Sequence, residues 1–132
     1  MSKYMDKAVE LRNSKEKHYN CAQAVLIPFA REKGISEEAA FAITDNYGTG
    51  MKMGSVCGAI AGGLMVLGLY GYNDAETISD YYSRFKDNHD GMINCRELLK
   101  KNKETGRPRK EHCDDMVYEA VEIVEDIIFS GN

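Results

Sequence analysis

Apolar positions recur at helical spacing along nearly the whole chain. Tyr4, Ala8 and Leu11 share one face near the start, with Met5 and Val9 beside them, the recurrence of an amphipathic helix. A second helix is predicted from Asn20 to Gly34, where glycine is a good terminator. Pro28 inside it removes a backbone donor and predicts a kink or a broken turn. Ser36-Glu37-Glu38 opens a short third helix through Ile43. Asp45 to Gly54 reads as a loop in which glycines supply positive φ angles on the way into the next helix. Ser55 to Tyr70 is apolar on all sides, which predicts a buried central helix. Asn73 with Glu76 reads as a capping box before a helix that carries Ile78, Tyr81, Tyr82 and Phe85 on one side and ends at Asp90-Gly91. A short helix from Asn94 to Leu99 and a polar connection from Lys100 to Lys110 follow. The last helix carries a wide apolar stripe from Met116 to Ile128, with Glu119, Glu122, Glu125 and Asp126 mostly opposite it. No strand alternation of useful length occurs. The expected architecture is all-α: one domain over residues 1–132, a compact helical bundle of about 5–7 helices around a Gly/Ala-rich central helix.

Composition narrows the class. The 132 residues are 43% apolar, enough for a core that needs no disulfides. The net charge of −4 lacks the basic excess of a nucleic-acid binder. The one basic cluster, Lys100, Lys101, Lys103, Arg107, Arg109 and Lys110, straddles Gly106 and Pro108 and reads as a solvated loop. Met1 to Asn20 has no secretory pattern, and the apolar run from Val56 to Tyr70 is shorter than a membrane span of about 20 residues. A soluble cytoplasmic protein is expected, without nucleic-acid or membrane partners, and able to form a homodimer through an exposed part of the terminal stripe. Gly58, Gly62, Gly63 and Gly68 cost the central helix about 1 kcal/mol each against alanine. A close approach by another helix explains them best.

Four dispersed cysteines carry the candidate chemistry: Cys21, Cys57, Cys95 and Cys113. Asn20-Cys21-Ala22-Gln23 and Asn94-Cys95-Arg96-Glu97 are nearly the same tetrapeptide, and each reads as a capping box with its cysteine in the first helical turn. Cys57 follows Ser55-Val56 at the start of the central helix. Free N–H groups and the positive end of the helix dipole favour a thiolate at such places. No C-x-x-C pair is present, so zinc-ribbon and thioredoxin motifs are absent and any shared site must be assembled by tertiary packing.

Gly54-Ser55-Val56-Cys57-Gly58-Ala59 and the apolar run after it, preceded by Asn20-Cys21-Ala22-Gln23 and followed by Cys95-Arg96-Glu97-Leu98 and Cys113, resemble the C_GCAxxG_C_C family of redox-active proteins. The order of cysteines matches. The family label has Gly-Cys-Ala-x-x-Gly, whereas this chain has Cys57-Gly58-Ala59-Ile60-Ala61-Gly62, with the first glycine and the cysteine exchanged. The resemblance implies a redox or metal-linked role without naming a reaction.

Two versions of a joint site are open beside four unrelated buried cysteines. In the first, the thiols exchange between dithiol and disulfide or carry electrons. Cys57 is then the nucleophile, Cys21 its first partner, and Cys95 and Cys113 a second pair or resolving thiols, working with a redox partner or a small molecule. In the second, Cys21, Cys57, Cys95 and Cys113, with His112 as an added ligand, hold zinc, iron or an iron–sulfur cluster without turnover. His18 and His89 read as solvated. The glycine loop matches no nucleotide fingerprint, since neither a preceding strand nor the right spacing is present. Gly50, Gly54 and Gly58 are the candidates for a cofactor or anion contact through backbone N–H groups.

Overall fold

The computed structural model describes residues 2–130. Seven α-helices are present among them: α1 (Lys3–Arg12), α2 (Cys21–Ala30), α3 (Glu37–Thr44), α4 (Gly58–Leu69), α5 (Ala75–Asn88), α6 (Cys95–Thr105) and α7 (Arg109–Phe129). No strand forms among the described residues, so the fold is the all-α bundle expected.

Helix α4 is the centre. Gly58 to Gly63, Val66 and Leu67 are buried, and α2 and α7 pack on it most closely. Gly62 sets the distance to α2, whereas Gly68, also expected to allow a close approach, has open space beside it. A Cβ on Gly62 would stand 2.9 Å from the carbonyl oxygen of Ala22 and 3.1 Å from its Cα. Gly63 leaves room for the ring of Tyr81, whose hydroxyl donates to the carbonyl of Ile60 at 2.8 Å in the fully buried core. Helix α7 buries Met116, Val117, Ala120, Val121, Ile123 and Val124, the stripe read from the sequence.

The local signals held unevenly. The Asn20–Gln23 capping box forms in both directions, at 2.8 and 2.7 Å, whereas the expected Asn94–Glu97 box does not, since the Asn94 side chain caps no backbone N–H and its amide instead donates to the Glu97 carboxylate at 3.4 Å. Helix α2 passes through Pro28 to Ala30, and the distortion appears only afterwards, as a tighter 3-10 turn over Arg31–Lys33 that ends at left-handed Gly34. Pro28 lies close to the end of α2, where one missing bond disturbs little. At α5 the cap is Asp74, one residue beyond the expected Asn73, with its carboxylate accepting from Thr77 N–H at 2.9 Å.

The largest correction lies between residues 99 and 116. Helix α6 continues to Thr105, and α7 already begins at Arg109 behind Pro108. The polar connection is therefore only Gly106 to Pro108. Lys and Arg are good helix formers, and solvent-facing turns without apolar residues escape a reading based on apolar recurrence. Asp114 and Asp115 consequently lie on the second turn of α7.

Candidate functional site

The four cysteines gather at one end of the bundle through three local devices. Cys21 is the first residue of α2, placed by the Asn20 cap. Cys57 and Cys95 are drawn together by an antiparallel bridge between Val56 and Asn94. In it Cys57 N–H donates to Ile93 at 2.9 Å and Cys95 N–H donates to Ser55 at 2.7 Å. Cys113 lies on the second turn of α7 and faces Cys21, whose Sγ is 3.9 Å from the Cys113 carbonyl oxygen. All four are free thiols; Cys57 and Cys95 are buried, Cys21 and Cys113 half-buried.

Between residues 49 and 54 the chain makes a left-handed turn. Thr49, Gly50, Met51, Lys52 and Gly54 all have positive φ. For the three side-chain-bearing residues this costs about 1–2 kcal/mol each, of which the Ser55 N–H bond to the Gly50 carbonyl at 2.8 Å recovers about 1 kcal/mol. Gly50 has no alternative there, because a Cβ would run into the Ser55 backbone and the Cys95 side chain. The expected positive angles are thus real at Gly50 and Gly54, whereas Gly48 is extended with φ of −66°. The turn delivers Thr49 to the site, where its hydroxyl accepts from Arg109 Nη2 at 3.3 Å.

A cavity of about 550 Å³ opens here, a size typical of small-molecule sites. Cys21, Cys95, Cys113 and Gly58 line it; Cys57 does not, but lies behind them, close enough to repel Cys21, Cys95 and Cys113 when ionised. Gly50 and Gly54 are not on its wall, and Gly54 instead backs onto Arg96. His18 lines the cavity, while His112 does not. Burial first, then His89 and Arg107, push the His112 imidazole toward its neutral form. Among the described residues no group of three or more His, Cys, Asp or Glu side chains stands in metal-binding geometry.

Proton affinities divide the thiols, and not as helix position alone predicts. Burial pushes Cys57 up to about 12, against the opposing pull of the Ala59 and Ile60 N–H groups. Cys95 is raised by burial and by Cys113, with Arg109 opposing. Cys21 is raised well above the ordinary thiol range, chiefly because its thiol donates to Cys113. Cys113 alone moves down, to about 6. The Cys21 hydrogen bond is the main cause, Arg109 and Arg12 add to it, and burial opposes it. The expected thiolate at Cys57 is therefore corrected: the dipole of a helix start, worth up to about 1 kcal/mol at the surface, loses to desolvation.

Two arginines hold the Cys113 environment. Arg12, at the end of α1, bonds Asp114 at 2.7 Å and the Tyr19 carbonyl at 2.8 Å, and its side chain is only 7% exposed. Lys110 reaches the other oxygen of Asp114 at 2.8 Å. Arg109 precedes Cys113 by one helical turn. Sequence reasoning missed both arginines as site residues. The spacing of Arg109 and Cys113 could have revealed one, once α7 was known to start at Arg109; nothing local links Arg12 to Asp114.

Comparison with known families matches residues 19–127 to the family described as "Putative redox-active protein (C_GCAxxG_C_C)", and the chain belongs to that family. No curated protein and no solved structure matches it. Helix α1, and with it Arg12, lies before the matched segment. No helix among the described residues is long and apolar enough to cross a membrane.

Proposed function

We propose that the protein performs thiol–disulfide chemistry through the pair Cys21 and Cys113, with Cys113 as the attacking thiolate and Cys21 as the resolving thiol. The observation that carries this reading is the packing of Cys21 against Cys113 on the wall of an open cavity, with the Cys21 thiol 3.9 Å from the Cys113 carbonyl oxygen and the two thiols shifted in opposite directions. A thiolate available at neutral pH beside a protonated partner is the arrangement that dithiol exchange uses.

The Cys113 thiolate attacks one sulfur of a disulfide. A mixed disulfide forms and the first substrate thiolate leaves. With the negative charge on Cys113 gone, the repulsion that kept Cys21 protonated is relieved, and its proton passes to the departing thiolate. Cys21 then attacks Cys113 Sγ, the second substrate thiolate leaves, and the protein holds a Cys21–Cys113 disulfide. Two electrons pass from the protein thiols to the substrate, and the reverse sequence makes the oxidised protein a disulfide donor. Cys57 and Cys95, buried and raised, serve as packing and as charge-sensitive neighbours rather than as nucleophiles.

The test is a redox titration of protein purified without oxygen, with peptide mapping of the oxidised form. A two-electron couple that maps to Cys21–Cys113 and vanishes in C21S and C113S is expected. A disulfide formed elsewhere, or stoichiometric zinc or iron lost on the same substitutions, would replace this reading.

A further inference from the structure

The cavity in front of the thiol pair has an electrostatic character opposite to that of the protein. Five cationic side chains line it, Arg12, Lys15, Lys17, Arg109 and Lys110, against a single carboxylate, Glu16, in a chain whose net charge is −4. Arg12 and Lys110 are committed to Asp114. Among the described residues none of the ion pairs involves Lys15, Lys17 or Arg109. Lys17 rests over the ring of Phe41, 3.8 Å from its centroid, and Arg109 points to the Thr49 hydroxyl. In an acidic protein, three cations without carboxylate partners around one concave site form a local positive field. A lined cleft focuses such a field on whatever diffuses in.

We propose that the cavity selects low-molecular-weight disulfides that carry carboxylates, with Lys15, Lys17 and Arg109 drawing the anion toward Cys113. This rests on the thiol–disulfide reading and adds the class of substrate to it. The chemistry is the exchange already described: the substrate S–S bond breaks as a bond to Cys113 Sγ forms, the first carboxylate-bearing half leaves with the Cys21 proton as a thiol, and the second leaves as a thiolate when Cys21 closes the protein disulfide. The charge argument also fits the size of the site. A cavity of about 550 Å³, walled in part by Ser14–Tyr19, takes a small disulfide.

The test compares three probes on the reduced full-length protein: dithiodipropionate (dianionic), bis(2-hydroxyethyl) disulfide (neutral) and cystamine (dicationic). Each single-turnover rate is divided by that of free 2-mercaptoethanol under the same conditions, which removes intrinsic reactivity. At low salt the normalised rate should favour the dianion over the neutral probe by about tenfold or more and disfavour the dication, the lower end of electrostatic steering. The preference should shrink severalfold at about 0.5 M salt, where the screening length falls below the width of the site. The double variant K15Q/K17Q, changed at two exposed positions, should lower the dianion-to-neutral ratio severalfold. Equal normalised rates for all three probes would overturn the anion proposal and leave the exchange chemistry standing. No mixed disulfide at Cys113 of the C21S variant with any probe would overturn the exchange chemistry itself.

Discussion

Cys57 and Cys113 sit at the same end of the bundle and hold their protons in opposite ways. Cys57 caps α4, facing free N–H groups, yet burial pushes it up to about 12. Cys113 is beyond the first turn of its helix, yet a donating thiol and two arginines hold it down to about 6. The lesson is one of magnitude. A helix dipole acts at the surface by tenths of a kcal/mol to about 1 kcal/mol, whereas desolvation and specific charged donors shift proton affinities by several units. Neighbours, and not position in a helix, set the proton affinities of these two thiols.

The sharpest way to break this contrast is alkylation at neutral pH, read residue by residue by mass spectrometry. Cys113 should react at least about a hundredfold faster than Cys57, even after allowing for the lower intrinsic nucleophilicity of a more acidic thiol. Comparable rates would erase the distinction. The Cys113 rate should fall as pH drops through about 6. The linked stability has the same sign: with its folded proton affinity below the unfolded value, Cys113 contributes stability above the ordinary thiol range that is lost as pH falls toward about 6. C113S should flatten that part of the stability profile.

Arg12→Met should come next, costing about 3 kcal/mol in denaturant unfolding, because it strands the half-buried Asp114 with Lys110 alone. It should also move the Cys113 midpoint upward. An unchanged midpoint would remove Arg12 from the site. Gly62→Ala should cost about 1–3 kcal/mol by forcing α2 off α4, without changing the ratio of Cys113 to Cys57 reactivity. A changed ratio would mean that the packing of α4 also sets the thiols. Tyr81→Phe should cost about 1 kcal/mol for its lost buried hydrogen bond. The smallest effect is expected from Arg109→Gln, which should leave the melting temperature nearly unchanged while slowing Cys113 alkylation at pH 6 severalfold, since an exposed charge acts through a screened field.

Much of the fold was legible because its signals are local. Recurring apolar residues marked α1, α4 and the body of α7, and the Asn20–Gln23 box marked the start of α2 to the residue. The reading failed where the recurrence was missing. Residues 100 to 110 form two solvated helix turns on either side of a three-residue connection, and their charges looked like loop. That error hid Arg109 from Cys113.

The site was legible by residue type and not by role. Three cysteines at predicted helix starts, with Cys113 further on, were enough to name the candidate atoms, since the composition around each one is written within a few positions of it. Which thiols meet, which one ionises and what charge surrounds them depended on contacts between residues far apart in the chain: Arg12 with Asp114, Val56 with Asn94, Cys21 with Cys113. Helix propensity and capping are properties of neighbouring residues, so the chain determines them by itself. Desolvation and electrostatic pairing are properties of an assembled volume, and only the packed bundle decides them.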